Sequence, residues 1–204
     1  RRDVRTMAKK VVLTYDIGSV EAEEKLLAKV GAELVKAYWT NEDDLVKVSA
    51  DPAVVALLVG PNAQITKRVI DAIPNLKILS RLGIGIDNID IRAATARGIP
   101  VSFVPDYCVS EVADHAMAFI LAFARRIFPL SKACQEKAWV GGVSDIPKIR
   151  APIIRLSELT LGILGCGRIG GALSTRAKAF GMKVVVFDPY LSRETAQKMG
   201  VKLA

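Results

Sequence analysis

Three glycines with the spacing G-x-G-x-x-G stand between an apolar run and a segment of helical character. They are Gly165, Gly167 and Gly170, and the run before them, residues 159–164, is predicted to be a strand. The first glycine permits a tight turn, the second lets the backbone approach a pyrophosphate, and the third lets the next helix pack closely on the strand. That helix, predicted over residues 168–180, directs free N–H groups and a partial positive charge toward the turn. This order of elements predicts a site for the phosphates of a dinucleotide.

A carboxylate follows at the end of the next predicted strand. That strand, KVVVFD, comes after Gly181 and ends in Asp188. A carboxylate at this place can accept hydrogen bonds from the ribose hydroxyls of adenosine, and it would repel an additional 2′-phosphate by on the order of 4 kcal/mol at contact distance. The acid therefore predicts NAD rather than NADP as the cofactor. The alternative is an ordinary glycine turn beside an exposed strand-end acid.

Composition and charge exclude several other classes of protein. The chain has 204 residues, 51% of them hydrophobic, which is enough for one large domain or two small ones with a proper core. Its stretches without a charged or strongly polar group, such as residues 116–124, are far shorter than the roughly 20 residues of a membrane-spanning helix. The net charge is +8, but the basic residues are scattered and few aromatic residues lie among them. This pattern favours a small anionic ligand over nucleic acid and predicts no membrane association.

The N-terminus and the cysteines indicate the compartment. No apolar core of signal-peptide type follows the basic start, and Met7 resembles a natural start, with residues 1–6 upstream of it. Cys108, Cys134 and Cys166 match neither the spacing of a zinc site nor that of a disulfide framework. We therefore expect reduced thiols, no metal site and a cytoplasmic location.

The first hundred residues alternate short apolar runs with helix-like segments, which predicts a doubly wound parallel α/β sheet. The predicted strands are residues 10–15, 32–39, 54–60, 76–83 and 99–104, and the predicted helices between them are 20–29, 66–73 and 91–97. A long connecting helix is predicted over 111–128. Its predicted apolar face consists of Val112, Phe119, Ile120, Phe123 and Ile127. A second α/β unit follows, with its first β-α-β segment at 159–188.

These segments resemble the NAD-dependent D-2-hydroxyacid dehydrogenase family, which includes phosphoglycerate, D-lactate and glyoxylate/hydroxypyruvate enzymes and the related C-terminal-binding corepressors. The resemblance rests on RLGIGIDNIDI, VPDYCVSEVADHAMAFILAFARR and LGILGCGRIGGALSTRAKAFGMKVVVFDPY, at residues 81–91, 104–126 and 161–190, and on the region of Trp139. It implies a flavodoxin-like substrate lobe, residues 7–103, and a Rossmann NAD-binding lobe, residues 104–204. It also implies an active site in the cleft between the lobes.

The resemblance further implies roles for particular residues. The loop of Leu82, Gly83, Ile84 and Gly85 would present backbone N–H groups to a substrate carboxylate, with Ile84 and Gly85 as the predicted substrate-binding residues and Arg81 adding positive potential nearby. Ile84 departs from the small polar residue that relatives often carry. Arg168 and Ile169 would lie along the pyrophosphate, beside Gly165, Gly167, Gly170 and Asp188. The family's dimers imply a homodimer formed through this lobe and the arm at 128–140.

The implied activity is hydride transfer between NAD(H) and a small 2-hydroxy or 2-keto acid. The family's catalytic arginine, glutamate and histidine lie beyond GVKLA, so no catalytic residue is assigned here and the chain is expected to be an inactive fragment of a longer enzyme. Its lobe is expected to end after two strands, with the edge of the second strand open. The single histidine, His115, is predicted to pack on the apolar face of the long helix. An NADH-binding corepressor or a pseudoenzyme is the alternative function.

Overall fold

The computed structural model describes residues 8–38, 41–136 and 146–204. The chain divides into two compact units, an N-terminal unit and a C-terminal unit, with the boundary between Tyr107 and Cys108. Residues 137–140, the last four of the predicted arm at 128–140 and including Trp139, lie outside the described residues. Within the described ranges, no helix has both the length and the apolar character needed to cross a membrane.

The N-terminal unit is a parallel sheet whose strands alternate with helices. Its strand order is β2-β1-β3-β4-β5, which is the flavodoxin-like order of a doubly wound sheet. The strands are β1 (Lys9–Leu13), β2 (Ala32–Lys36), β3 (Val54–Val59), β4 (Ile78–Arg81) and β5 (Val101–Ser102). The helices are α1 (Glu21–Ala28), α2 (Glu42–Ser49), α3 (Lys67–Ala72) and α4 (Ile91–Ala96). The predicted fold class is confirmed.

The centre of this sheet is buried because its strands carry consecutive apolar residues. Leu57 in β3 and Leu79 in β4 are paired across the strands, and both are 0% exposed. Val69 and Ile70 of α3 are 0% exposed as well and belong to the same core cluster. Burying each such side chain stabilises the fold by about 1.5–3 kcal/mol. The core therefore holds the carboxyl ends of β3 and β4, and the loops that follow them, in place.

Two features of this unit differ from the sequence prediction. The sequence analysis does not predict helix α2, because the three acids at its start interrupt the helical spacing of its apolar residues. In the structure Asn41 caps this helix, and its side-chain oxygen accepts a 2.9 Å hydrogen bond from the Asp44 amide. The strands are shorter than predicted, and β2 ends at Lys36 because only the residues in register with β1 form its ladder. Trp39, the predicted end of β2, is outside the described residues.

The C-terminal unit carries a smaller parallel sheet in the order β6-β7-β8. Its strands are β6 (Thr160–Leu164), β7 (Lys183–Phe187) and β8 (Lys202–Leu203). Its helices are α5 (Val109–Ala124), α6 (Ile127–Gln135), α7 (Ile146–Arg150), α8 (Arg168–Ala179) and α9 (Arg193–Met199). The expectation that the edge of β7 is open is wrong, since β8 pairs with β7 and the edge strands are β6 and β8.

The predicted connecting helix over 111–128 is also corrected. Helix α5 starts two residues earlier, at Val109, and ends at Ala124 because Arg126 takes a left-handed conformation, with φ +57°, that separates it from α6. The face of α5 that packs inward is not the predicted one. Its buried residues are Ala113, Met117 and Ala124.

The larger apolar side chains of α5 and α6 remain outside. Phe119 is 60% exposed, Phe123 85% and Phe128 70%, and Val112 and Ile127 are exposed too. Ile120 alone of the predicted face is partly buried against the core of this unit. Two of the three buried residues of α5 are alanines, whose small side chains let α5 approach α8 closely. The outer side of these helices thus carries several large exposed apolar side chains.

Candidate functional site

The turn after β6 has the geometry that the glycine spacing predicts. Gly165 has φ +85°, which an L side chain rarely adopts, and its amide donates a 2.8 Å hydrogen bond to the carbonyl of Phe187 at the end of β7. This bond extends the β6–β7 ladder by one step and then releases the chain into the turn. The first glycine is therefore required by backbone conformation.

The third glycine is required by packing. A Cβ at Gly170 would lie 2.1 Å from the carbonyl oxygen of Gly165 and 3.3 Å from Cγ2 of Ile163. Helix α8 thus begins directly against the strand that precedes it. A Cβ at Gly167 would meet nothing within 4 Å, so the second glycine leaves the outer side of the turn open to a ligand.

The first turn of α8 has amides available for an anion. Its cap residue, Gly167, provides no side chain, and the first intrahelical bond runs from the Gly171 amide to the Gly167 carbonyl at 2.8 Å. In the described structure the amides of Arg168, Ile169 and Gly170 have no acceptor. Free N–H groups at the positive end of a helix bind phosphate groups well.

The Asp188 carboxylate is hydrogen-bonded directly to the backbone of this turn. Its Oδ2 accepts a 2.6 Å hydrogen bond from the Cys166 amide inside the glycine motif, and its Oδ1 accepts one of 2.8 Å from the Tyr190 amide. The hydrogen bond from Cys166, followed by those from Tyr190 and Leu191, holds the pKa of the Asp188 carboxyl below its ordinary value. Each oxygen of the ionised carboxylate keeps a lone pair for a further donor. The acid therefore both fixes the turn and remains able to bind hydroxyl groups.

Cys166 is buried between the turn and the core of the unit. Its side chain is 6% exposed, and burial, together with the charge of Asp188, raises the pKa of the thiol. The thiol is therefore neutral at physiological pH and acts as a small apolar group. Its backbone amide, which bonds Asp188, is the functional part of this residue.

An apolar surface next to the turn was not predicted from the sequence. Leu164 and Phe187 are register partners at the carboxyl ends of β6 and β7, and they are 88% and 57% exposed. Tyr190, two residues after Asp188, is 95% exposed. A signal for this surface is present in the sequence, because both strands end in a large apolar residue at the edge where a ligand would bind.

The predicted substrate loop follows β4 in the N-terminal unit. Gly83 has φ +155° and its carbonyl accepts a 3.0 Å hydrogen bond from the Val104 amide. The Arg81 guanidinium lies over this glycine: a Cβ at Gly83 would be 2.8 Å from Nη1. Nη1 also donates a 2.6 Å hydrogen bond to the Leu82 carbonyl, whereas the buried Nε has no partner in the described structure. A positive group is thus fixed at the start of the loop.

Ile84 and Gly85 form the outer part of this loop. Ile84 is half-buried and Gly85 is exposed. The loop is anchored from its other end by Asn88, whose side-chain amide donates to the carbonyls of Gly60 and Ala63 at 3.0 and 2.7 Å. The loop is therefore held at both ends with its middle accessible.

The structure gathers the predicted cofactor residues, Gly165, Gly167, Arg168, Ile169, Gly170 and Asp188, at one end of the C-terminal sheet, and Ile84 and Gly85 belong to the N-terminal unit. His115 lies on the same helix face as Phe119, as predicted, but that face is exposed rather than packed against the core. It is exposed and makes an edge-to-face contact with Phe119, at 4.5 Å between ring centroids, because both residues lie on the outer face of α5.

Comparison with known proteins places the chain in a family. The family model for the catalytic domain of D-isomer specific 2-hydroxyacid dehydrogenases matches residues 11–204. A D-3-phosphoglycerate dehydrogenase of Methanocaldococcus jannaschii is 38% identical over 180 residues, which are 88% of this chain and 32% of that protein. The chain spans about a third of the length of such curated relatives.

Solved structures agree with this match. The D-lactate dehydrogenase of Aquifex aeolicus, complexed with NAD and lactic acid, superposes with a TM-score of 0.77 at 25% identity, over 96% of this chain and 56% of that one. A glyoxylate reductase from Paecilomyes thermophila gives a TM-score of 0.79 at 25% identity, over 97% of this chain and 60% of that one. The chain therefore belongs to the D-isomer specific 2-hydroxyacid dehydrogenase family.

Proposed function

We propose that this chain supplies the substrate lobe, residues 7–103, and the first half of the NAD-binding lobe, residues 104–204, of an NAD-dependent oxidoreductase acting on a small 2-hydroxy or 2-keto acid. The observation that carries the proposal is the 2.6 Å hydrogen bond between the Cys166 amide and the Asp188 carboxylate. It brings the ribose-binding acid and the phosphate-binding amides of the turn into one site. NAD, when bound, donates or accepts the hydride of the reaction.

The residues present fit such a cofactor. The amides of Arg168, Ile169 and Gly170 would bind the pyrophosphate, the open surface at Gly165 and Gly167 would admit it, and the carboxylate of Asp188 would accept from the ribose hydroxyls. Leu164, Phe187 and Tyr190 offer an exposed apolar surface next to that acid, which suits the adenine ring.

The substrate residues follow from the loop after β4. The amides of Ile84 and Gly85 would bind the substrate carboxylate, and the Arg81 guanidinium would add positive potential to a loop that already presents N–H groups. No side chain of this loop selects one substituent on the acid over another. The proposed substrate is therefore a small 2-hydroxy or 2-keto acid with no particular substituent.

We further propose that the protein forms a homodimer through the outer face of α5 and the start of α6. Phe119, Phe123 and Phe128 are each at least 60% exposed there, and contiguous apolar patches of this kind are typical of protein interfaces. We also propose a cytoplasmic location, where the reducing environment would keep the thiols of Cys108, Cys134 and Cys166 reduced.

The cofactor proposal is tested by titrating the chain with NADH and NADPH and measuring the heat of binding by isothermal titration calorimetry. Asp188→Asn should weaken NADH binding by about tenfold, because a neutral amide accepts a hydroxyl hydrogen bond less strongly. The same change should narrow the preference for NADH over NADPH, because it removes a charge that repels the 2′-phosphate.

Glu194→Gln is the matched control, since it removes an exposed acid of the same unit that pairs with Lys198. It should leave both affinities unchanged. An NADH affinity that is the same in wild type and Asp188→Asn would contradict the proposal.

The reaction itself is tested with the chain extended to family length and assayed for NADH oxidation with glyoxylate, pyruvate, hydroxypyruvate and phosphohydroxypyruvate. If none of these acids is turned over, a non-catalytic NADH-binding protein is favoured instead.

A further inference from the structure

A pocket lined by lysines lies at the amino ends of the strands of the C-terminal unit. Its volume is about 440 Å³, and its lining includes Lys178, Lys183 and Lys202 together with Thr160, Met182 and Gly200. Dinucleotides bind Rossmann sheets at the carboxyl ends of the strands, so this pocket is separate from the cofactor site. The five residues of β7 place about 16 Å between the two ends.

Strand register brings two of the lysines together. Thr160 pairs with Lys183, and Val185 pairs with Lys202, so Lys183 and Lys202 are diagonal neighbours on one face of the sheet. Strand spacing and rise separate their Cα atoms by roughly 8 Å. Neither side chain has a carboxylate or other hydrogen-bond acceptor in the described structure. Two like charges at this distance repel each other even in water.

The third lysine has a structural role that does not consume its charge. Lys178 Nζ donates to the carbonyl of Met199, the last residue of α9, and lies 3.4 Å from the position of a Cβ at Gly200. The ends of α8 and α9 each contribute a partial negative charge of about one half, so three lysines leave a net charge of about +2 at the pocket. Helix capping therefore accounts for Lys178, whereas Lys183 and Lys202 contact no acceptor within the described residues.

The acids in the segment that carries the pocket, residues 150–204, do not neutralise its charge. Residues 150–204 contain nine lysines and arginines but three acids, Glu158, Asp188 and Glu194. Asp188 lies at the other end of β7 and bonds the glycine turn, and Glu194 pairs with Lys198 at 2.7 Å. Glu158 is exposed and forms no ion pair with a described lysine.

We propose that this pocket binds a small multivalent phosphate anion, such as a phosphate ester or a polyphosphate. The lysine charges match two or more anionic oxygens, Thr160 offers a hydroxyl, and Met182 and Val185 form an apolar wall for the body of an ester. Its volume lies in the usual range for sites of small ligands. The site is independent of the cofactor turn in the same unit.

The test uses inorganic pyrophosphate as the probe and amide chemical shifts of the 204-residue chain as the readout, at low ionic strength. We expect two separate sets of shifts, one at residues 183–185 and 200–202 and one at residues 165–170. The double substitution Lys183→Gln/Lys202→Gln should lower the pyrophosphate affinity reported by the first set of shifts by roughly tenfold, because each exposed ion pair adds up to about 1 kcal/mol. The affinity reported by the second set should not change. Arg168→Gln should affect the second set alone.

Lys29→Gln/Lys77→Gln is the matched control, since it removes the same charge from exposed positions of the N-terminal unit. Equal weakening by this control would show a general charge effect and overturn the proposal. So would shifts confined to residues 165–170, or an affinity at residues 183–202 that the lysine substitutions leave unaltered. Both substituted pairs are exposed, and the spectrum of each variant reports directly whether it is folded.

Discussion

The turn after β6 and the loop after β4 each contain a glycine at positive φ, and each is held in place by a side chain of opposite charge. Both follow a parallel strand, and both contain a glycine at positive φ within two residues of the end of that strand, Gly165 at +85° and Gly83 at +155°. The turn is fixed by a carboxylate, Asp188, which accepts from the Cys166 amide, whereas the loop is fixed by a guanidinium, Arg81, which donates to the Leu82 carbonyl. A fixed anion suits a ligand that offers hydroxyl donors, and a fixed cation suits one that offers oxygen acceptors.

The two glycine segments also differ in what makes glycine necessary. At Gly170 the obstacle is backbone, which cannot move without shifting the strand or the helix. At Gly83 the obstacle is the far end of the Arg81 side chain, which has other rotamers. The turn should therefore be the more rigid of the two, and substitutions can measure the difference.

The largest expected effect is that of Gly170→Ala. Its methyl group would lie 2.1 Å from the Gly165 carbonyl oxygen, so α8 must separate from β6, and we expect the C-terminal unit to lose about 3 kcal/mol of stability. Gly167→Ala is the matched control, because its methyl group meets nothing within 4 Å at an ordinary φ, and it should cost less than about 1 kcal/mol. Urea denaturation followed by circular dichroism measures the loss, and hydrogen exchange in β7 assigns it to this unit. Equal effects of the two alanines would show that the turn is not tightly packed.

The next effect is that of Gly83→Ala in the N-terminal unit. The methyl group would occupy a strained φ and displace the Arg81 guanidinium, which together should cost about 1–3 kcal/mol. Gly85→Ala makes an ordinary 3.4 Å contact with Asp87 and should be neutral or stabilising by a few tenths of a kcal/mol. Hydrogen exchange of the amides in β4 distinguishes the two variants. If the Gly83→Ala protein were as stable as the Gly85→Ala protein, the contact between Arg81 and Gly83 would not stabilise this loop.

The same contrast explains what the sequence predicts well and what it does not. The turn at 165–170 and Asp188 are predictable because every requirement there is local: a strand, a fixed glycine spacing, a helix and a strand-end acid. The Cys166–Asp188 hydrogen bond is not predictable, since it depends on how far the turn folds back over β7.

Helix α5 shows the opposite case. Its sequence has two apolar faces, one with Phe119 and Phe123 and one with Ala113 and Met117. Periodicity detects the helix but favours the bulkier face, although the inward face is decided by how closely α8 must approach. His115 lies on the bulkier face, which is why it is exposed.

The smallest expected effect concerns the charge that fixes the turn. Because its hydrogen bonds lower the pKa of Asp188 from the ordinary 3.8, the folded state favours the ionised carboxylate. The resulting stability is fully present above pH 3.8 and is lost as the pH falls through the lower, folded-state pKa. The melting temperature of wild type should therefore exceed that of Asp188→Asn near neutral pH, and the difference should shrink as the solution is taken below pH 4, about the ordinary pKa of an aspartate. Glu194→Gln gives the baseline for removing an exposed acid. A melting-temperature difference that stays constant from pH 6 to about pH 2.5 would mean that a neutral group accepts the hydrogen bond of the Cys166 amide equally well. The negative charge of Asp188 would then not be what fixes the turn, in contrast to the role proposed for the positive charge of Arg81 in the loop after β4.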